Sequence, residues 1–154
     1  YADKFGVPFY KGEKPWGIKV DIAMPCATQN EIGIKEAKQI IANGTKYYIE
    51  VANMPTTEEA LNFLIDRKDV IVAPSKAVNA GGVCVSGLEM SQNSQRLSWT
   101  AEEVDEKLHN AMINIHKHSV EAAEKYGLGY DLVAGANIAG FEKVAEAMMA
   151  QGIY

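Results

Sequence analysis

The sequence predicts an α/β fold in which a parallel sheet precedes long carboxyl-terminal helices. Three apolar segments with strand character, residues 18–24, 46–51 and 70–73, alternate with two helical patterns. Parallel strands need crossover connections, and such crossovers are right-handed, so this order favours a single parallel sheet. From Thr100 to about Tyr126 the periodicity is helical throughout, which gives a helix of roughly 40 Å, longer than a small sheet needs for cover.

Composition places the chain among globular proteins of one domain. It has 154 residues, of which 47% are hydrophobic and 23% charged, and its net charge is -5. An acidic chain lacks the electrostatic footprint of a nucleic-acid or anionic-membrane binder, and no apolar run approaches the roughly 18 residues that span a bilayer. Two cysteines, Cys26 and Cys84, are too few for a disulfide framework. Their small, apolar neighbours favour buried free thiols in a reducing cytoplasm.

The first strand and the helix after it have clear boundaries. Apolar residues alternate from Ile18 to Met24, and Pro25 closes the strand. The helical pattern over 31–42 then ends at the pair Asn43-Gly44.

The second strand, residues 46–51, is followed by a predicted capping box. The Thr56 hydroxyl can accept from the amide of Glu59, whose side chain can reach back to the amide of Thr56. The helix then continues through Ile65. The third apolar run, Val70 to Ala73, is typical of a fully buried parallel strand.

A second capping box, Thr100 with Glu103, predicts the start of the long helix. Gly127-Leu128-Gly129 ends that helix, and a last amphipathic helix is predicted over 137–149. The long helix carries one stripe of small and apolar residues at helical spacing: Val104, Leu108, Ala111, Met112, Ile115, Ser119 and Ala122.

The chain opens on residues that are typical of the tail of a helix. Tyr1 to Phe5 is followed by Gly6, a residue common at helix carboxyl termini, and there is no initiating Met. We therefore expect a fragment of a longer protein.

Polar residues follow all three predicted strands. The segments 25–31, 51–57 and 74–79 contain Asn, Thr and Ser side chains. Since carboxyl ends of parallel strands share one sheet edge, where ligands bind in open α/β folds, these segments are expected to line a single cleft. Thr28 and Thr56 also suit the simpler role of helix caps.

The stretch from Asn79 to Asn93 begins with an amide, a glycine pair and then Ser86. Glycines let the backbone approach a ligand, while Asn and Ser supply oriented hydrogen bonds. A strand-to-helix turn rich in small residues explains the same pattern as packing, and spacing alone leaves both interpretations open.

Several other kinds of site are not indicated. No Gly-x-Gly-x-x-Gly follows a strand, so the dinucleotide fingerprint is missing. His116 and His118 are two apart on one helix and cannot chelate the same metal, and with His109 they are interpreted as exposed helix histidines. Asp21 is assigned a structural role. No metal site and no catalytic acid or base is predicted.

Taken together, these segments resemble the glutamate dehydrogenase family. The resembling pieces occur in order along nearly the whole chain: PCATQNE (25–31), ANMPTT (52–57), NAGGV (79–83), SGLEMSQN (86–93) and GANIAGF (135–141). The resemblance is to the carboxyl-terminal part of small hexameric bacterial enzymes. It implies a Rossmann-like sheet, here partial with its first strands absent. Residues 1–154 would be part of an NAD(P)-binding domain, with about 100–154 as hinge and carboxyl-terminal helices.

The resemblance also implies roles for individual residues. Ala27 and Thr28 would face the cofactor, NAD or NADP, through backbone and hydroxyl. Asn53 would contact the nicotinamide-side ribose and Asn79 the nicotinamide carboxamide. Val51 stands where many relatives have Gly, so a β-branched residue is expected to extend its strand by one position.

For the substrate, the resemblance implies that Ser86 binds the distal carboxylate and that Val83 packs on the methylenes. The reaction would be reversible oxidative deamination of L-glutamate to 2-oxoglutarate and ammonium by a cytoplasmic homohexamer. Its catalytic residues would come from an amino-terminal domain outside this chain. A related leucine, valine or phenylalanine dehydrogenase, or a catalytically silent nucleotide-binding or assembly module, stays an alternative.

Overall fold

A computed structural model describes residues 1–152, and residues 153 and 154 of the predicted carboxyl-terminal region lie outside this range. A single 3-10 turn, Pro15–Gly17, precedes the first strand. The elements in chain order are α1 (Ala2–Phe5), β1 (Ile22–Ala23), α2 (Ile34–Ala42), β2 (Tyr47–Ile49), α3 (Glu58–Ile65), β3 (Ile71–Ala73), α4 (Ser75–Val78), α5 (Ala80–Gln95), α6 (Ala101–Lys125) and α7 (Leu132–Gln151).

The three strands form one parallel sheet in the order β1-β2-β3, which confirms the predicted α/β class. One face of the sheet is buried, and it carries Ala23, Tyr48 and Val72 in register. Helices α2 and α3 lie in the same core, to which they contribute Ala37, Ile40, Ala60 and Leu64.

The opposite face of the sheet is open. Ile22, Tyr47 and Ile71 are also in register, and they are 52%, 43% and 36% exposed. The prediction that the third strand is fully buried is therefore wrong at Ile71. An unbroken apolar run does not show which of its residues face helices, because that depends on what packs on each face.

The first strand is much shorter than predicted. Residues 18–20 are attached to the segment that precedes β2 by side-chain contacts, of which Thr45 Oγ1 donates to the carbonyl of Val20 at 3.0 Å. The carbonyl of Asp21 accepts both the Lys46 and Tyr47 amides, at 2.9 and 3.1 Å. Regular pairing therefore begins only at Ile22, and Asp21, which was predicted within the strand, precedes it.

The predicted extension of the second strand at Val51 is also wrong. Regular pairing ends at Ile49. The amides of Val51 and Ala52 both donate to the Pro25 carbonyl, at 3.2 and 2.9 Å, so the chain turns toward the loop after β1 instead of continuing along β3.

The predicted capping box at Thr56 is not formed. Helix α3 starts one residue later, with Thr57 at its N-cap position and no side-chain cap. Thr56 is buried, and its hydroxyl lies 2.7 Å from the hydroxyl of Tyr48, which is fully buried. The Thr56 hydroxyl bonds to Tyr48 and not to the start of α3, because a buried tyrosine hydroxyl needs a hydrogen-bond partner in the core.

The long helix begins and ends as predicted. Thr100 Oγ1 accepts the Glu103 amide at 3.2 Å, and Glu103 accepts the Thr100 amide at 2.7 Å. Gly127 follows the helix at φ 74°, a left-handed conformation that suits glycine. All seven residues of the predicted stripe are buried or half-buried.

The last helix begins at Leu132, five residues before the predicted start at Asn137, because Asp131 accepts the Ala134 amide at 2.9 Å and caps it. It packs closely on α6 at Gly135, where an added Cβ would lie 1.9 Å from the carbonyl oxygen of Ser119. Helix α1 and Gly6, at φ 63°, match the helix tail predicted for the first six residues.

Two remaining features bear on the sequence predictions. Within residues 1–152, no helix is long and apolar enough to cross a membrane. Cys26 and Cys84 form no disulfide, but Cys26 is exposed and Cys84 half-buried, so the predicted burial of both thiols is wrong.

Candidate functional site

The ends of β2 and β3 are joined by two asparagine side chains. Asn79 Nδ2 donates to Asn53 Oδ1 at 2.6 Å. Asn53 lies in the turn after β2, and Asn79 lies between α4 and α5, after β3. This bond uses one polar group of each amide. The Oδ1 atom of Asn79 and the Nδ2 atom of Asn53 remain for other partners, one as acceptor and the other as donor.

The loop after β1 is attached to the same edge through the backbone. The amide of Asn30 donates to the Met54 carbonyl at 2.9 Å, and the Pro25 carbonyl accepts the amides of Val51 and Ala52. Ala27 and Thr28 are exposed on this loop, and the Thr28 amide donates to Glu31 at 3.3 Å. The three predicted segments therefore do meet at one edge of the sheet, and we call residues 25–31, 51–57 and 74–79 the strand-end edge.

The glycine-rich stretch is helical, which corrects its interpretation as a turn. Gly81 packs against the side chains of Leu108 and Met112 on α6, whereas an added Cβ at Gly82 would meet nothing within 4 Å. The stretch therefore has one packed and one open face, which bears out the packing interpretation at Gly81 and leaves the ligand interpretation a prediction for the open face.

Val83 and Ser86 lie on the open face of α5. Val83 is 74% exposed, and Ser86 Oγ donates to the Gly82 carbonyl at 3.2 Å. They follow Asn79 by four and seven positions, so all three share one side of the helix, with Asn79 and Ser86 about 10 Å apart along its axis. An amide, an apolar side chain and a hydroxyl thus line a continuous exposed surface.

Two contacts of this edge were missed by the sequence interpretation. Glu50 is buried, and its Oε2 accepts the Ser75 amide at 3.1 Å. Lys76 Nζ donates to Asn137 Oδ1, which ties α4 to α7. Both contacts join residues far apart in sequence, and the only local signal was a charged residue at the end of an apolar strand.

The histidines and acids do not form a metal site. Among residues 1–152 no group of three or more His, Cys, Asp or Glu could hold a metal ion. His116 Nε2 instead lies 2.7 Å from the Tyr130 hydroxyl, and His109 and His118 are exposed on the same helix.

The donors and acceptors of the strand-end edge suit a neutral, hydroxylated ligand. Its polar side chains are mainly amides and hydroxyls, and its only basic residue, Lys76, already contacts Asn137. This set fits a ligand that presents hydroxyl and amide groups. The edge offers no free cation to a phosphate group, which favours cations and glycine-rich helix starts.

Comparison with known proteins identifies the family of this chain. The profile of the glutamate/leucine/phenylalanine/valine dehydrogenase family matches residues 1–152. The chain is 72% identical to an NAD-specific glutamate dehydrogenase of Clostridium symbiosum, over 99% of this chain and 34% of that protein. It is 54% identical to an NADP-specific glutamate dehydrogenase of Escherichia coli, with the same coverage.

A solved structure of a glutamate dehydrogenase superposes with a TM-score of 0.95 at 72% identity, covering 99% of this chain and 34% of the other. The chain thus spans about a third of the length of the relatives that it matches. The profile match extends over almost the entire sequence, and the identities are high throughout. The chain belongs to the glutamate/leucine/phenylalanine/valine dehydrogenase family.

Proposed function

We propose that the protein carrying this chain is an NAD- or NADP-dependent glutamate dehydrogenase, and that this chain supplies part of its cofactor site. The reaction is the reversible oxidative deamination of L-glutamate to 2-oxoglutarate and ammonium. The observation that carries the proposal is the Asn53–Asn79 amide pair at the carboxyl ends of two parallel strands. Family membership, with relatives named NAD- and NADP-specific glutamate dehydrogenases, supports it.

In this proposal the strand-end edge binds the nicotinamide half of the cofactor. Asn79 Oδ1 accepts from the carboxamide, and Asn53 Nδ2 donates to the adjoining ribose. Ala27 and Thr28 line the same side of the cofactor. The cofactor supplies the hydride chemistry when bound, and these residues fix the position of its nicotinamide end.

Ser86 and Val83 are proposed as the substrate contacts of this chain. The Ser86 hydroxyl exchanges its bond to the Gly82 carbonyl for one to the distal carboxylate of glutamate, and Val83 covers the substrate methylenes. Because an unmet buried carboxylate oxygen is costly, such a serine favours glutamate over apolar amino acids.

The remaining features of the enzyme are proposed from the family alone. Residues 1–154 act as part of an NAD(P)-binding domain, with about 100–154 as hinge and carboxyl-terminal helices. Catalytic residues are expected from an amino-terminal domain, and the enzyme is a cytoplasmic homohexamer. Closure of the cleft between domains would exclude water from the reacting groups.

The substrate assignment is tested by Ser86→Ala in the complete enzyme. We expect kcat/KM to fall about tenfold for glutamate, a loss of about 1.4 kcal/mol, and to stay near wild type for norvaline, which lacks the distal carboxylate. Ser91→Ala is the matched control, since Ser91 lies on the same helix and its hydroxyl donates to the Gly87 carbonyl at 2.9 Å. Equal losses for both substrates would show that Ser86 does not bind the carboxylate.

The cofactor assignment is tested by titrating NAD and NADP into the complete enzyme and its Asn79→Ala variant. We expect the variant to bind the preferred nucleotide about tenfold more weakly, which is about 1.4 kcal/mol. Binding of neither nucleotide by the unsubstituted enzyme would favour a catalytically silent module. Activity with leucine, valine or phenylalanine, but not glutamate, would favour a related amino-acid dehydrogenase.

A further inference from the structure

Among residues 1–152, Glu50 is the only buried acidic residue. It lies at the end of β2, is 3% exposed, and its Oε2 accepts the Ser75 amide at 3.1 Å. Burying a carboxylate is costly unless hydrogen bonds compensate for lost water. The hydrogen bond to Ser75 is therefore the reason for a carboxylate at this position. None of the proposed cofactor and substrate contacts involves Glu50.

The carboxylate takes the place of a backbone carbonyl. Ile49 pairs with Ala73, and the Glu50 amide still donates to the Ala73 carbonyl at 3.0 Å. In a continuing parallel ladder the Ser75 amide would donate to the backbone carbonyl of Glu50. It donates to the side chain instead, so β2 and β3 separate at this point without leaving the amide unpaired.

This bond belongs to a closed ring around the asparagine pair. The Ser75 carbonyl accepts the Asn79 amide at 2.9 Å, and Asn79 Nδ2 donates to Asn53 Oδ1 at 2.6 Å. The backbone from Asn53 back to Glu50 completes the ring. Loss of the Glu50 acceptor would free the start of α4, and through it the position of Asn79 relative to Asn53.

We propose that Glu50 is a positioning residue that sets the spacing and the amide orientation of Asn53 and Asn79 for the nicotinamide half of the cofactor. The inference rests on the proposed function. Glu50 touches neither cofactor nor substrate and acts only through the start of α4. The carboxylate length is matched to the gap between the separating strands, so both shortening and removal disturb the amide pair.

The test measures nucleotide affinity in the complete enzyme by calorimetry. Glu50→Ala removes the acceptor, Glu50→Asp retains the carboxylate on a shorter side chain, and Glu50→Gln retains an acceptor oxygen at the same reach. We expect Kd for the nucleotide to rise about tenfold for Ala and Asp, and to stay within about threefold for Gln. The KM for glutamate should change less than Kd in every variant.

Thr45→Val is the matched control for a purely structural loss. Thr45 is buried just before the amino end of the same strand, where its hydroxyl donates to the Val20 carbonyl. It should lower stability and leave Kd unchanged. Hydrogen exchange of the amides of residues 75–79 gives a readout independent of activity, with faster exchange expected for Glu50→Ala and Glu50→Asp but not for Thr45→Val.

A double substitution decides whether Glu50 acts through Asn79. Adding Glu50→Ala to Asn79→Ala should weaken nucleotide binding no further. Additive losses, or an unchanged Kd in both Glu50→Ala and Glu50→Asp, would overturn the inference and leave the proposed function intact. Absence of nucleotide binding by the unsubstituted enzyme would overturn the proposed function itself.

Discussion

The strand-end edge and the α6–α7 pair contact each other through Lys76 and Asn137, but each is held together by different means. At the edge, loops are joined by single polar contacts, including Asn79 to Asn53 and Ser75 to Glu50. Between α6 and α7 the backbones themselves approach at Gly135, opposite Ser119.

Each kind of contact suits a different purpose. Close packing of many atoms fixes two helices against each other, and the atoms within that contact are not accessible to a ligand. A loop edge held by single hydrogen bonds keeps donors and acceptors exposed, as Asn53 does. We therefore expect substitutions in the helix pair to change stability most, and substitutions at the edge to change stability less and ligand affinity more.

The largest expected effect is in the helix pair. Gly135→Ala would place a methyl group against the Ser119 carbonyl and force the helices apart, at a cost of about 3 kcal/mol. Gly140→Ala is the control on the same helix, because its Cβ would meet nothing within 4 Å, and it should be neutral or stabilise by up to about 1 kcal/mol. Urea unfolding midpoints measure both, and equal midpoints would show that the helices do not pack through Gly135.

At the strand-end edge, Thr56→Val is expected to cost about 2 kcal/mol, because it leaves the buried Tyr48 hydroxyl without a partner. Burial raises the pKa of this phenol, so ionisation offers it no alternative. The double variant Tyr48→Phe with Thr56→Val should recover most of the loss in urea unfolding. A double variant as unstable as the sum of the single variants would contradict the role given to this bond.

A smaller effect is expected at the start of α7. Asp131→Ala removes the side-chain acceptor of the Ala134 amide and should cost about 1 kcal/mol, whereas Asp131→Asn should retain most of the stability. Thermal unfolding of the three proteins provides the comparison. If Asp131→Asn lost as much stability as Asp131→Ala, the charge of Asp131 and not its capping hydrogen bond would be the cause.

The smallest effect is a pH dependence beside the strand-end edge. Lys14 donates to Glu36, and this hydrogen bond is the main cause that holds the pKa of Glu36 below its usual 4.5. A carboxylate with a lowered folded-state pKa stabilises the protein above about pH 4.5, and this stabilisation is lost as pH falls through the folded-state pKa. The size should stay below about 1 kcal/mol, since Lys14 is half exposed.

Lys14→Met should therefore lower stability near pH 6 and have less effect near pH 3, as measured by urea unfolding at both values. A constant difference between Lys14→Met and wild type at the two pH values would show that the pair does not contribute through the charge of Glu36.

Local sequence patterns predicted much of the fold. The capping box at Thr100, the glycine that follows α6 and the apolar stripe of α6 depend on residues a few positions apart, and all three are present. The same local logic failed at Thr56, because a phenol eight residues away competes for its hydroxyl. Local patterns are reliable where no distant group needs the same atom.

The candidate site was predicted only in part. The polar segments after three strands identified the correct edge, since parallel topology alone brings them together. The bond between Asn53 and Asn79 spans 26 positions, and that between Glu50 and Ser75 spans 25. No spacing rule connects such residues, so the charge of Glu50 at the end of an apolar strand did not show which residue it would contact.

Residue types and their order were enough to predict the α/β class, the bounds of α6 and the family. Which face of the sheet is covered, which hydroxyl Thr56 contacts and how Asn53 and Asn79 are oriented became evident only from the folded chain. These outcomes depend on atoms that meet after the strands are in register, where geometry selects one partner among several of suitable chemistry.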